Sequence, residues 1–192
     1  MQLRPNEELN YPGRTYKFYD GPSVLYPFGH GLSYTTFTYT LNSSSSSSAP
    51  IVATAATHCK NLTYKSGTNS NNGSRHDDCQ AVVTTGSPCK EEIVFDVQVT
   101  NTGPVAGSDS VLVYVKPPRE IEGAPLRKLV AYRKVFLPSG AAKTVRFRLN
   151  SCSALSLVER TAYTVLPAGE HIVQVGDGKR AVSFPVRVKF HQ

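Results

Sequence analysis

An antiparallel β-sandwich is the fold this sequence predicts, and three observations carry the prediction. About seven short segments alternate apolar and polar residues, turn residues punctuate them at even spacing, and almost no stretch has a helical period. Barrel closure is the alternative. With 192 residues, 40% of them hydrophobic, the chain has material for one sizeable core and not for a second. It contains no Trp, so the Cys…Trp…Cys pattern of immunoglobulin domains does not apply.

The elements follow in chain order. Residues 1–32 hold Pro5, Pro12, Pro22 and Pro27 with Gly13, Gly21, Gly29 and Gly31, a density that breaks helices and sheet ladders alike. This segment reads as an extended connector arm, in which Arg14, Tyr16 and Phe18 alternate. Residues 33–192 read as the sandwich. In its first strand Phe37, Tyr39 and Leu41 share one face and Thr36, Thr38 and Thr40 the other. Six serines, Ser43 to Ser48, then open a polar stretch over 43–91 that reads as a long flexible insertion, because it has too little apolar surface to offset its ordering entropy. Within it, 50–57 and 80–85 are candidates for one strand each.

From Ile93 the pattern sharpens. Ile93, Phe95, Val97 and Val99 face inward, with Asp96 and Gln98 outward, before a turn at Asn101. SVLVYV, residues 110–115, is apolar on both faces, as suits a central strand covered on both sides. KLVAYRKVFL and KTVRFRL make a strand-turn-strand unit, and Arg146 and Arg148 fall on its wet face. CSALSLV, residues 152–158, fits either a helical turn or a connector. GEHIVQV and AVSFPVRVKF complete the set; Pro185 removes a ladder donor from the last, which therefore reads as an edge strand.

Charge and cysteines bound the setting. Twenty-one Lys and Arg against 14 Asp and Glu give +7, enough to attract acidic polymers. The alternation around the arginines gives no reason to expect a nucleic-acid partner, and no stretch approaches the roughly 20 apolar residues of a membrane span. Cys59, Cys79, Cys89 and Cys152 are an even set with three possible connectivities, of which Cys59–Cys79 with Cys89–Cys152 is preferred because it staples the insertion to itself and its end to the sandwich. Their spacing is not that of a zinc site, so no metal is expected. Asn42, Asn61 and Asn72 begin glycosylation sequons, which with paired cysteines lean towards an extracellular chain. The start, MQLRPNEELNYPGR, is not a signal peptide, so Met1 reads as an internal methionine of a longer secreted precursor.

The motifs PGRTYKFYDGP (12–22) and YPFGHGLSYTTF (26–37), supported by VTNTGPVAGSDSVLVYVKPP (99–118) and LPAGEHIVQVGD (166–177), resemble family-three glycoside hydrolases, especially plant β-xylosidases and α-arabinofuranosidases. The resemblance covers nearly the whole chain. It implies a fibronectin-type-III-like sandwich at the C-terminal end of such an enzyme, with the connector arm leading in from catalytic domains that supply the nucleophile and the acid/base. Those catalytic domains are the expected partners, with cell-wall polysaccharide, xylan or arabinan, as a further one and the cell wall as the location. No cofactor is implied.

The residues themselves supply no catalytic pair. Glycoside hydrolysis needs two carboxyl groups across one sugar, about 5–5.5 Å apart for retention or 6.5–9.5 Å for inversion. Glu7 and Glu8, Asp77 and Asp78, Asp96, Asp109, Glu159 and Glu170 read as solvated charges, GHGLSYT lacks the GxSxG spacing, and GDGKR reads as a hairpin turn. The candidate functional residues are instead an interface set, Arg14, Tyr16, Phe18, Tyr26, Phe28 and His30, expected to lie on a neighbouring domain or to fold back on the sandwich. The function expected is that of a non-catalytic accessory domain; an independent carbohydrate-binding or protein-binding module is the alternative.

Overall fold

A computed structural model describes residues 2–42, 51–54, 59–62, 79–84, 91–159 and 161–191. The reading of 43–91 as a flexible insertion falls for the most part outside these. The described elements are a helical turn α1 (Thr15–Phe18), then β1 (Phe37–Leu41), β2 (Ile51–Thr54), β3 (Cys59–Lys60), β4 (Ala81–Val83), β5 (Glu92–Asn101), β6 (Gly107–Lys116), β7 (Lys128–Leu137) and β8 (Ala142–Asn150). A second helical turn α2 (Ser151–Leu155) precedes β9 (Leu157–Val158), β10 (Thr164–Pro167), β11 (Gly169–Val175) and β12 (Val182–His191).

Two sheets face each other across one core, a fibronectin-type-III-like sandwich. One has the order β1-β5-β8 and the other β2-β12-β11-β6-β7. The alternation seen in the sequence decides which side chains meet between them: Phe37 and Tyr39 from β1, Ile93 to Val99 at every second position of β5, and Val145, Phe147 and Leu149 of β8 are buried. From the other sheet come Val111, Val113 and Val115, Val173 and Val175, and Phe184, Val186 and Val188. Phe95 joins the layers. Its ring stacks on Phe147 at 5.3 Å within its own sheet and meets Phe184 of the opposite sheet edge-on at 5.1 Å.

Three details depart from the sequence reading, and one that it left open is decided. β12 is not an edge strand, because β2 pairs with it in parallel from Val188 to His191; Pro185 lies in the part β2 leaves uncovered, where a missing donor costs little. CSALSLV resolves into α2 followed by β9: the Asn150 side chain accepts from the Ser153 N–H at 3.0 Å and caps the turn that ends β8. Arg14, Tyr16 and Phe18 do not form an extended strip, since Thr15–Phe18 coils into α1. And a third small sheet, β3-β4-β10-β9, sits beside the sandwich with its own cluster of Leu62, Ala81, Ile121, Leu157 and Val165. There Cys59 is bonded to Cys79, with Cα atoms 5.4 Å apart. Cys152 is also disulfide-bonded, while Cys89 lies outside the described residues.

Two buried polar groups set the ends of the sandwich. Asn101, fully buried at the end of β5, donates to the carbonyls of Val105 (2.8 Å) and Leu137 (3.0 Å) and accepts from the Thr35 hydroxyl (2.6 Å) and the Gly103 N–H (3.1 Å). One side chain thereby satisfies backbone groups of the β5–β6 loop and of the end of β7, and ties the start of β1 to both. His171 of β11 is also fully buried. Its Nε2 lies 3.1 Å from the Pro167 carbonyl and its Nδ1 has no hydrogen-bond partner. Burial pushes its pKa down to about 4.

The unfolded chain therefore binds a proton at His171 between about pH 6.5 and 4 that the folded chain does not, and stability falls as pH is lowered through that window. The loss amounts to about 3 kcal/mol. Urea unfolding at a series of pH values should show a slope between pH 4 and 6.5 that shrinks in His171→Leu; an unchanged slope would refute the assignment.

Candidate docking face

The interface candidates are held by a turn that only particular residues allow. Gly13 has φ +85°, and a Cβ there would lie 2.5 Å from the Phe18 carbonyl oxygen, so glycine is required. Thr15 follows in the left-handed region at φ +64°. The chain then closes α1, with the Tyr19 N–H donating to the Thr15 carbonyl and the Asp20 N–H to the Pro12 carbonyl, each at 2.9 Å.

This turn aims Tyr16 at the outer face of the five-stranded sheet. Tyr114 sits there, opposite Gln174 in register, on the side of β6 that points away from the core; it is nevertheless 0% exposed. Tyr16 stacks on Phe28 at 4.1 Å, and both rings meet Tyr114 edge-on at 6.3 and 6.4 Å. The Arg127 guanidinium covers the same ring at 4.6 Å and forks onto Asp177 at 3.0 and 3.2 Å. Burial pushes the Tyr114 hydroxyl up. Burial also acts to raise Asp177, but the Arg127 and Gly178 donors outweigh it and hold the carboxyl below its ordinary range. Gly29, at φ +88°, lets the backbone come close enough that a Cβ would stand 2.7 Å from the Tyr114 hydroxyl and from Leu112 Cδ1. Backbone bonds complete the seam: the Leu129 N–H donates to the Tyr16 hydroxyl at 3.2 Å and the Leu126 N–H to the Lys17 carbonyl at 2.6 Å.

The six interface candidates therefore divide. Tyr16 and Phe28 fold back on the sandwich. Phe18 lies under the Arg4 guanidinium (5.7 Å), which donates to the Val158 carbonyl, and Arg14 donates to the Tyr11 hydroxyl at 2.7 Å within the arm. Tyr26 and His30 face outward, ring against ring at 5.1 Å. Around them Leu25 (93% exposed), Tyr26 (74%), Leu32 (95%) and Tyr34 (98%) form a run of large side chains in water, with an open groove of about 990 Å³ beside it lined by Tyr19, Tyr26, Pro118, Ile121 and Leu126. Among the sequons, Asn61 is exposed, Asn42 is half-buried and Asn72 lies outside the described residues.

Six carboxyl groups of the described residues are engaged by cations: Asp96 by Arg146 (2.8 Å), Glu92 by Arg148 (3.4 Å), Asp109 by Arg180 (3.9 Å), Glu170 by Arg187 (3.2 Å), Asp177 by Arg127 and Glu159 by Lys60. The Arg146 hydrogen bond holds Asp96 below the usual carboxylate range, the opposite of what a general acid needs. Asp109 accepts from the buried Tyr39 hydroxyl, whose pKa burial drives up. Among the described residues no group of three or more His, Cys, Asp and Glu could hold a metal. Sequence reasoning missed Tyr114, Arg127 and Asp177; the signal for the first was an aromatic residue at the outward position of a strand apolar on both faces.

Comparison with known proteins gives the arrangement a setting. Residues 109–179 match the model of the fibronectin type III-like domain. The chain is 36% identical to Beta-D-xylosidase 1 of Arabidopsis thaliana over 90% of its length, and 31% identical to Beta-xylosidase/alpha-L-arabinofuranosidase 2 of Medicago sativa subsp. varia over 95%. It spans about a fifth of the length of each, 21%. In three dimensions it matches a β-glucosidase from Listeria innocua solved in complex with glucose, with a TM-score of 0.59 and 25% identity, over 97% of this chain and 21% of that one.

Phe28→Ala should release the arm without unfolding the sandwich. Loss of the stack on Tyr16 costs about 1.4 kcal/mol, enough to speed tryptic cleavage at Arg14 and Lys17 about tenfold. Tyr26→Ala should leave that rate unchanged; equal rates for Phe28→Ala and the unaltered chain would show that the arm is not anchored there.

Proposed function

We propose, on the premise that this chain belongs to the fibronectin type III-like regions of plant-type family-three glycoside hydrolases, that it is a non-catalytic accessory domain whose arm carries a docking face for the catalytic body of such an enzyme. The observation that carries this reading is the division of the arm. Tyr16 and Phe28 are used up on Tyr114, while Leu25, Leu32 and Tyr34 stand more than nine-tenths exposed in the adjoining segment. Burying such side chains would contribute about 1.5–3 kcal/mol each, so their exposure marks an interface.

The proposed parent is a β-xylosidase or α-arabinofuranosidase acting on cell-wall xylan or arabinan, exported to the extracellular space. The relatives' names, the paired cysteines and the exposed sequon at Asn61 support this. The domain's contribution would be to brace the catalytic domains. The ion pairs at Glu92, Asp96, Asp109, Glu159, Glu170 and Asp177 favour an accessory role over a catalytic one, since these six carboxyl groups already have a cationic partner.

The purified chain should release no chromophore from aryl xylosides or aryl arabinofuranosides. In the full-length enzyme, a Leu32→Ser/Tyr34→Ser double variant should lower the inactivation temperature while the same changes leave the unfolding of the isolated chain unaffected. Turnover by the isolated chain, or an unaltered full-length enzyme, would contradict the reading.

A further inference from the structure

The edge strand β7 carries a second exposed aromatic surface that the docking face does not use. Tyr132 and Phe136 are 64% and 65% exposed, whereas Val135 and Leu137 on the other parity are buried in the core. Period-2 geometry puts Tyr132, Lys134 and Phe136 on one outer face, with the two rings about 13 Å apart along the strand. Across the ladder Lys134 lies opposite Ser110 and Phe136 opposite Ser108, so the neighbouring row offers hydroxyls. Neither Lys134 nor its neighbour Arg133 has a carboxylate within ion-pair distance among the described residues, although six other cations of the chain do. Cations on an edge strand discourage pairing with another sheet, which accounts for a charge there. It does not account for two rings standing in water on either side of it.

We infer that this face binds an acidic polysaccharide, a chain of pyranose rings bearing carboxylates. The apolar faces of two sugars would lie on Tyr132 and Phe136, a carboxylate between them would meet Lys134, and Ser108 and Ser110 would hydrogen-bond ring hydroxyls. The commitment to an acidic chain rests on charge complementarity: an unpaired lysine lies between the rings, in a chain of net charge +7. This inference does not rest on the docking reading, whose residues lie in the segment 25–34.

The test is titration of the purified chain with polygalacturonate, with neutral xylan and with polyglutamate, a flexible carboxylate polymer that has no sugar faces. Polygalacturonate should bind, more weakly as salt rises. Neutral xylan and polyglutamate should each bind at least about tenfold more weakly. Tyr132→Ala, Phe136→Ala and Lys134→Ala should each weaken polygalacturonate binding about tenfold, while Tyr132→Phe, which keeps the ring, and Arg187→Ala, which removes a charge on β12, should bind like the unaltered chain. Circular dichroism confirms that each variant is folded. Absence of binding, equal binding of polyglutamate or xylan, or an Arg187→Ala loss as large as that of Lys134→Ala would overturn the proposal.

Discussion

Tyr114 points away from the sandwich core and yet meets no water, and the functional geometry of the molecule follows from how that is achieved. A bare tyrosine on the outer face of a central strand would leave a large ring to solvent. Here the arm returns over it and sets the stacked pair Tyr16 and Phe28 edge-on to it, while the sandwich's own loops supply Arg127, which covers the ring and is held by Asp177. Because the arm is committed at those two rings, the backbone between and beyond them has a fixed course. The residues that find no partner on the sandwich, Leu25, Tyr26, Leu32 and Tyr34, are thereby held outward together. An aromatic contact on one side of a segment thus sets the orientation of an apolar surface on the other.

The sandwich beneath is built to hold such a load. Phe95 links its two layers, and Asn101 closes one end by satisfying a carbonyl of the β5–β6 loop and the last carbonyl of β7. At the start of β7, the Lys128 ammonium donates to the Ser153 and Ser156 carbonyls at 2.8 and 2.7 Å, tying that strand to α2 beside the place where the arm's Tyr16 accepts from Leu129. Burial, with Lys17 nearby, pushes the Lys128 pKa down to about 8. Arm, strand and helical turn are in this way fastened at neighbouring residues of β7.

How much of this was legible in the sequence depends on the range of the interaction. The inward parities of β5, β8 and β12 were readable because a half-buried strand writes its burial into every second residue. The two-faced apolar run 110–115 correctly announced cover on both sides. What supplies the outer cover was not readable, since Tyr16 and Phe28 reach Tyr114 across more than eighty positions and no local pattern records such a contact. RTYKF shows the limit most plainly. Alternation over five residues is compatible with a strip, but left-handed turns at Gly13 and Thr15 and the stack on Phe28 make it a helical turn. Pro185 misled for a related reason: it reports on one ladder position, whereas the strand gains its neighbour β2 further along.

The arrangement separates two kinds of backbone within one arm, and hydrogen–deuterium exchange reads that separation directly. In the isolated chain the amides of Tyr19 and Asp20, which donate to Thr15 and Pro12, and that of Leu126, which donates to Lys17, should exchange slowly, and the amides of 23–34 quickly apart from His30. In a full-length family-three enzyme carrying this domain, 23–34 should become protected while 12–20 stays as it was. Fast exchange at Tyr19, Asp20 and Leu126 in the isolated chain, or unchanged fast exchange at 23–34 in the full-length enzyme, would contradict an arm anchored on Tyr114 that presents its other side for docking.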